Sequence, residues 1–270
     1  HGRCYVLRVD DIPQTSGYGE PVQRHFAFAD GEQIIGVVSQ DARNLPTYHL
    51  MRPADVSDEV GEDSTAPAAV DATEDEVDTL RSSPEGLVSV GAVAVAISRS
   101  GKGLILPLSA HAETSTKKGR KFMSVNPAKG ESVVRVEVVR HPDTRLCLAT
   151  RGGRVLIFKT QELKFLGRAG KGVNAIKLAG DDSVLDFALV NKPSESLEVE
   201  TNRGRRVLVW ERKYTLASRG GKGTVVVKNG SLAAVGRDPS VVDPFGGEEP
   251  EEPLSDEAIE AELEAAEKES

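Results

Sequence analysis

The sequence predicts an all-β fold, a propeller-like ring of four-stranded blades. Three observations predict it: residues recur at a spacing of 51, each recurrence reads as four short strands parted by glycine turns, and helix-forming composition is confined to the stretch after Leu254.

The repeat comes first. Gly153 and Gly204, Gly170 and Gly221, Lys171 and Lys222, Gly172 and Gly223, Leu146 and Leu197, and Thr150 and Thr201 are each 51 positions apart. Another step of 51 from Gly170, Val184 and Phe187 reaches Gly119, Val133 and Val136, a third copy. Moving back 99 from Gly101, Leu106, Gly130, Val133 and Val136 gives Gly2, Leu7, Gly31, Ile34 and Val37, a fourth.

Within each copy a short apolar strand (Val93 to Ser98, Leu146 to Thr150, Leu197 to Thr201) meets a glycine turn, expected because hairpin turns need positive φ. A second strand follows (Tyr5 to Val9, Leu104 to Leu108, Val155 to Phe158, Val207 to Trp210). After a polar, basic loop comes a third strand (Val173 to Leu178, Val225 to Lys228). An acid-containing turn then leads to a fourth (Ile34 to Val38, Val133 to Val138, Val184 to Leu189).

Blades are therefore predicted over residues 1–40, 89–139, 140–190 and 191–245, the first entered mid-pattern at His1, as in a fragment of a longer protein. Residues 41–88 form an acidic insertion and 246–270 an acidic tail. Neither holds enough large apolar side chains to offset the entropy of ordering, so both are expected to be largely disordered. A short helix from Ser255 to Ala266 is the alternative for the tail, capped by Ser255 but opposed by like charges.

The formal charge of −8 hides a basic body. Asp55 to Asp78 holds ten acids and no base, and Glu248 to Ser270 holds eleven acids and Lys268. Removing those 21 acids and one base from the chain's 42 and 34 leaves 21 acidic and 33 basic residues.

The basic residues gather in the loop after the second strand: Lys117, Lys118, Gly119, Arg120 and Lys121; Arg168, Gly170, Lys171 and Gly172; Arg219, Gly220, Gly221, Lys222 and Gly223. One such loop reads as a solvated turn. Three at equivalent positions of a ring form a belt suited to duplex phosphates, where cations displace counterions and glycines admit close approach. Aromatics at 4%, none interleaved with the cations, disfavour single-strand stacking and base readout.

Other chemistries find little support. Two cysteines, Cys4 and Cys147, supply neither a disulfide framework nor a thiolate zinc site, and His1, His25, His49, His111 and His141 are read as surface or loop residues. No catalytic residue, metal site or bound cofactor is expected in this chain: there is no phosphate-binding Gly-x-x-x-x-Gly-Lys followed by Ser or Thr, and no Gly-x-Ser-x-Gly. Trp210 is read as core or edge packing. No apolar run has the length of a membrane span and no leader precedes the first strand, so a cytoplasmic protein is expected.

The segments Gly2 to Val9, Ile12-Pro13, Gly19 to Val22 and Asp30 to Ile34, with Leu148 to Val155 and Gly167 to Leu178, resemble blades of the C-terminal domain of a bacterial type IIA topoisomerase A subunit, of gyrase and topoisomerase IV. Ser218 to Gly223 looks like the same element and matches the end of the gyrase Gln-Arg-Arg-Gly-Gly-Lys-Gly-like box, but in the last repeat rather than the first. The resemblance implies a β-pinwheel whose blades exchange a strand, with double-stranded DNA wrapped on the basic rim. It also implies a parent enzyme that uses ATP and Mg²⁺ through other domains, joined to a B subunit in an A2B2 assembly, bacterial and chromosome-associated. Supercoiling and decatenation remain alternatives, and the family's catalytic tyrosine is carried over to none of Tyr5, Tyr18, Tyr48 and Tyr214. The rival reading is a propeller that binds a protein partner without touching nucleic acid. The acidic segments, in turn, are expected to compete with DNA for the rim.

Overall fold

A computed structural model describes residues 1–14, 16, 19–46, 51–53, 87–228 and 230–235. The expectations for most of the insertion and for the tail, including the helix from Ser255, lie outside the described residues.

The described chain holds fifteen strands and no α-helix. In order they are β1 (Arg3–Cys4), β2 (Met51–Pro53), β3 (Leu87–Ser89), β4 (Val93–Ser98), β5 (Lys102–Pro107), β6 (Arg120–Lys121), β7 (Val133–Val138), β8 (Arg145–Thr150), β9 (Arg154–Lys159), β10 (Val173–Asn174), β11 (Val184–Val190), β12 (Leu197–Thr201), β13 (Arg206–Val209), β14 (Thr224–Val225) and β15 (Leu232–Ala234). All the ladders are antiparallel.

Two sheets are complete four-stranded blades, β7-β4-β5-β10 and β11-β8-β9-β14. In each, three strands belong to one repeat and the fourth is borrowed from the next: β10 pairs with β5 (Val173 opposite Gly103) and β14 with β9 (Thr224 opposite Val155). β6 joins β1 in the same way, Arg120 opposite Cys4. This exchange is the pinwheel architecture. β12, β13 and β15 make a three-stranded sheet, and β2, within the insertion, pairs with β3 at its end.

Alternation along the strands explains how the blades stack. In β4, Val93, Val95 and Ile97 face one core with Leu146, Leu148, Phe158 and Phe187, while Ala94 and Ala96 face another with Leu104, Leu106, Phe122 and Met123. In β8 the split recurs: Leu146 and Leu148 lie in the first core, whereas Cys147 and Ala149 enter a third with Leu197, Val199 and Val209. Successive side chains of a strand point to opposite faces, so a strand between two blades must be apolar on both. That is why β4 is buried throughout.

β7 and β11 touch through Arg135, whose guanidinium forks onto Asp186 at 3.0 and 3.3 Å, and through Glu137, which accepts the Leu189 amide at 2.8 Å. Sheets thus meet along β7 and β11, and the borrowed strands lie at the opposite, outer edge.

Several strand limits differ from the sequence reading. The third strands shrink to the pairs Val173–Asn174 and Thr224–Val225, since only two residues reach the neighbouring blade before the chain turns inward. Tyr5 to Val9 is not a strand: β1 ends at Cys4, and Val9–Asp11 is a 3-10 turn. Nor do Ile34 to Val38 form one. No strand is paired along them among the described residues, and Ile34 and Val37 are 54% and 61% exposed.

Candidate nucleic-acid interface

The borrowed strands place the basic loops. Each of these strands is preceded by a glycine at positive φ, Gly119 (+68°), Gly172 (+72°) and Gly223 (+69°). A Cβ there would stand 2.9, 2.4 and 2.6 Å from the carbonyl oxygens of Cys4, Gly103 and Val155 in the preceding blade. Only glycine lets the backbone approach so closely at that φ.

The hairpin glycines reciprocate. The carbonyl of Gly2 accepts the amides of Phe122 and Met123, that of Gly101 those of Ala175 and Ile176, and that of Gly153 those of Val226 and Val227. The same contact, made three times, hangs each loop on the outer edge of the blade before it.

This geometry corrects one alignment. Gly119 is equivalent to Gly172 and not to Gly170, because the first loop is two residues shorter: Ser115, Leu166 and Ala217 donate to the carbonyls of Val6, Ile105 and Ile157, and the glycine follows four residues later in the first loop but six in the others. Gly170 and Gly221 instead face the preceding repeat, their carbonyls accepting the amides of Ser124 and Lys177.

Of the eight predicted contact residues, Lys117, Lys118, Lys121, Arg168, Lys171, Arg219 and Lys222 are exposed or partly so, and Arg120 is half-buried. Arg120 and Lys121 lie in β6 rather than in the loop. Arg120 donates to the Ala110 carbonyl at 2.5 Å and Arg219 to that of Asn174 at 3.3 Å. None of the eight side-chain cations forms an ion pair within 4.0 Å of a carboxylate among the described residues, although the Arg219 backbone amide donates to Glu162. The charges face solvent unneutralised.

The structure adds cations that the loop pattern missed. Arg3 donates to the Lys118 carbonyl at 2.9 Å, and Arg154 to the carbonyls of Lys222 and Gly223 at 3.3 Å. Both occupy the second strand of a hairpin, beside the borrowed strand of the next repeat. The spacing of Arg3, Lys102 and Arg154 along the repeats carried the signal, with Lys102 as the middle member.

His111 departs from the reading of the histidines as surface or loop residues. It is 6% exposed, stacked edge-on against Phe122, and its Nδ1 has no hydrogen-bond partner. Burial, then the Arg120 charge, pushes its pKa below the ordinary imidazole value. Trp210 is buried at the end of β13, as expected. Tyr5 donates to Glu32 at 2.8 Å and packs on Phe26 and Phe28, a structural role. Among the described residues no group of three or more His, Cys, Asp or Glu is placed to hold a metal, and no helix is long and apolar enough to cross a membrane.

Comparison with known proteins bears on this architecture. A family model described as "DNA gyrase C-terminal domain, beta-propeller" matches residues 1–41 and 144–191. The DNA gyrase A subunit of Deinococcus deserti is 34% identical over 126 residues, 43% of this chain and 15% of that protein. The DNA gyrase A subunit of Salmonella typhimurium is 30% identical over 125 residues, 44% of this chain and 14% of that protein. The matched region thus spans about 15% of the length of the curated relatives. The crystal structure of the C-terminal domain of DNA topoisomerase IV overlaps 58% of this chain and 52% of its own at 18% identity, with a TM-score of 0.47.

Proposed function

We propose, from the premise that this chain belongs with the C-terminal domains of type IIA topoisomerase A subunits, that its rim binds and bends double-stranded DNA. One observation carries the reading: three basic loops hang on borrowed strands at the outer edges of successive sheets, their charges unpaired. Lys117, Lys118, Arg120, Lys121, Arg168, Lys171, Arg219 and Lys222 are the phosphate contacts. Bending a short duplex by a right angle or less costs about 1 to 6 kcal/mol, which a succession of counterion-releasing contacts offsets.

The rest of the reading concerns the parent protein. The domain serves an ATP-dependent type II topoisomerase of the bacterial cytoplasm, working on the chromosome with a B subunit and supporting supercoiling or decatenation. ATP and Mg²⁺ act through other domains, and the acidic segments compete with DNA for the rim.

The test is the salt dependence of duplex affinity. If all eight cations contact phosphate, log K against log salt falls with a slope of about −7. A slope near zero would return the rim to the rival reading, a surface for a protein partner.

A further inference from the structure

The repeats differ at one corner of the rim. The second strand of each hairpin runs into a tight turn, and in the first and third repeats a residue three positions into that turn is acidic. Arg8 donates its amide to Asp11 at 3.4 Å, and Lys159 donates to Glu162 at 3.3 Å. The other oxygen of Glu162 accepts the amide of Arg219, in the basic loop of the next repeat, at 3.0 Å. One carboxylate thereby ties a turn to a neighbouring loop.

In the second repeat both ends of that arrangement change. The strand ends at Pro107, which has no amide hydrogen, and Ala110 stands where Glu162 stands. Arg168, the counterpart of Arg219 at the 51-residue step, has no acceptor for its amide among the described residues. A cavity of about 230 Å³ lies at this corner, bordered by Pro107, Ala110, His111, Arg120, Lys121 and Arg168.

Beside apolar Leu106, Phe122 and Leu166, the lining carries three cations that suit an anion. The Arg120 guanidinium is fixed by the Ala110 carbonyl, and Lys121 and Arg168 add two more charges. Buried His111 brings a ring nitrogen that lacks a partner. A buried ring nitrogen left unpaired is costly, and an anion with several acceptor sites would meet it together with the exposed Lys121 and Arg168.

We propose that this cavity is a seat for a single backbone phosphate, which takes the place held in the third repeat by the Glu162 carboxylate. The inference rests on the nucleic-acid reading of the rim and deepens it, by singling out one anchored contact among diffuse ones. A phosphodiester has two free oxygens, enough acceptor sites for the Arg168 amide, a guanidinium and the Lys121 ammonium together. The cavity also borders the loop of one repeat and the borrowed strand of another, on the path of a duplex that follows the outer edge.

Ala110→Glu restores the neighbour's carboxylate and fills the seat. Ala112→Glu adds the same charge at an exposed position two residues away. For the whole chain and a short duplex at fixed salt, Ala110→Glu is expected to weaken binding about tenfold, in line with the loss of a charge-assisted hydrogen bond, and Ala112→Glu less than about twofold. The Arg168 amide resonance should shift saturably with inorganic phosphate in the unaltered chain and stay unmoved in Ala110→Glu.

Equal weakening by the two glutamates would reduce the effect to net charge and overturn the seat. If Ala110→Glu binds normally while Lys117→Gln with Lys118→Gln weakens binding, the seat falls and the rim reading stands. Should neither set of changes weaken binding, both fall. An Arg168 amide that responds to a peptide of residues 248–270 but not to phosphate would assign the cavity to the chain's own carboxylates and overturn the proposal.

Discussion

The Arg135–Asp186 ion pair sits where two blades meet, and its energetics follow from burial. Asp186 is 4% exposed and carries the fork from Arg135 of the preceding repeat. Removing Asp186 leaves the poorly solvated Arg135 with the longer contact to Glu137 at 3.8 Å. Asp186→Ala is expected to lower unfolding stability by about 3 to 5 kcal/mol, and a double change with Arg135→Met to recover most of that, measured by urea denaturation. His111 makes a pH prediction. Its folded pKa is depressed, so the unfolded chain takes up the proton first as pH falls. Stability should be flat above the ordinary histidine pKa and decline below it until the folded group also titrates. Denaturation midpoints on either side of the ordinary histidine pKa check this, and His111→Phe should lessen the difference.

At the scale of the elements, the exchange depends on a glycine's freedom and on its proximity to a carbonyl. Gly172→Ala meets both penalties, positive φ and a Cβ position 2.4 Å from the Gly103 oxygen, and is expected to cost more than about 2 kcal/mol. Gly180→Ala, at φ +57° with nothing within 4 Å of the added atom, should cost only about 1 to 2 kcal/mol. Thermal unfolding of the two variants side by side gives the comparison. The spacing of these glycines and the apolar strands around them were legible in the sequence because backbone geometry demands them in every repeat. The register of the first basic loop was not, since Gly119 and Gly170 both precede a cation and sequence carries no sign of the two-residue shortening. Strand length was obscured for a different reason: Val173 to Leu178 is largely apolar, but Ala175 and Ile176 serve the core beyond the two-residue ladder.

For the whole molecule, two of the three cores draw their buried residues from neighbouring repeats, while the buried residues of the third all come from the second repeat, with Cys4, Ile35 and Val38 of the first packed against it. Leu148, fully buried between the second and third blades, illustrates this: Leu148→Ala is expected to cost about 2 to 5 kcal/mol and to loosen both neighbours, seen as faster amide exchange in β4 and β11. The ring class and the clustering of cations were readable because repetition exposes them. The corner at Ala110 was not, since it depends on which groups of separate repeats come together, and Pro107 and Ala110 look ordinary in a linear scan.

Strand borrowing also decides where mechanical load travels. A tug on the loop before β10 pulls on a segment clipped to β5 of the preceding blade and, through Ala175 and Ile176, on the hairpin bend at Gly101. Tension applied at the circumference is therefore shared with the adjoining unit as sideways shear, the way overlapping staves of a hoop grip one another, instead of peeling a single blade from the wheel.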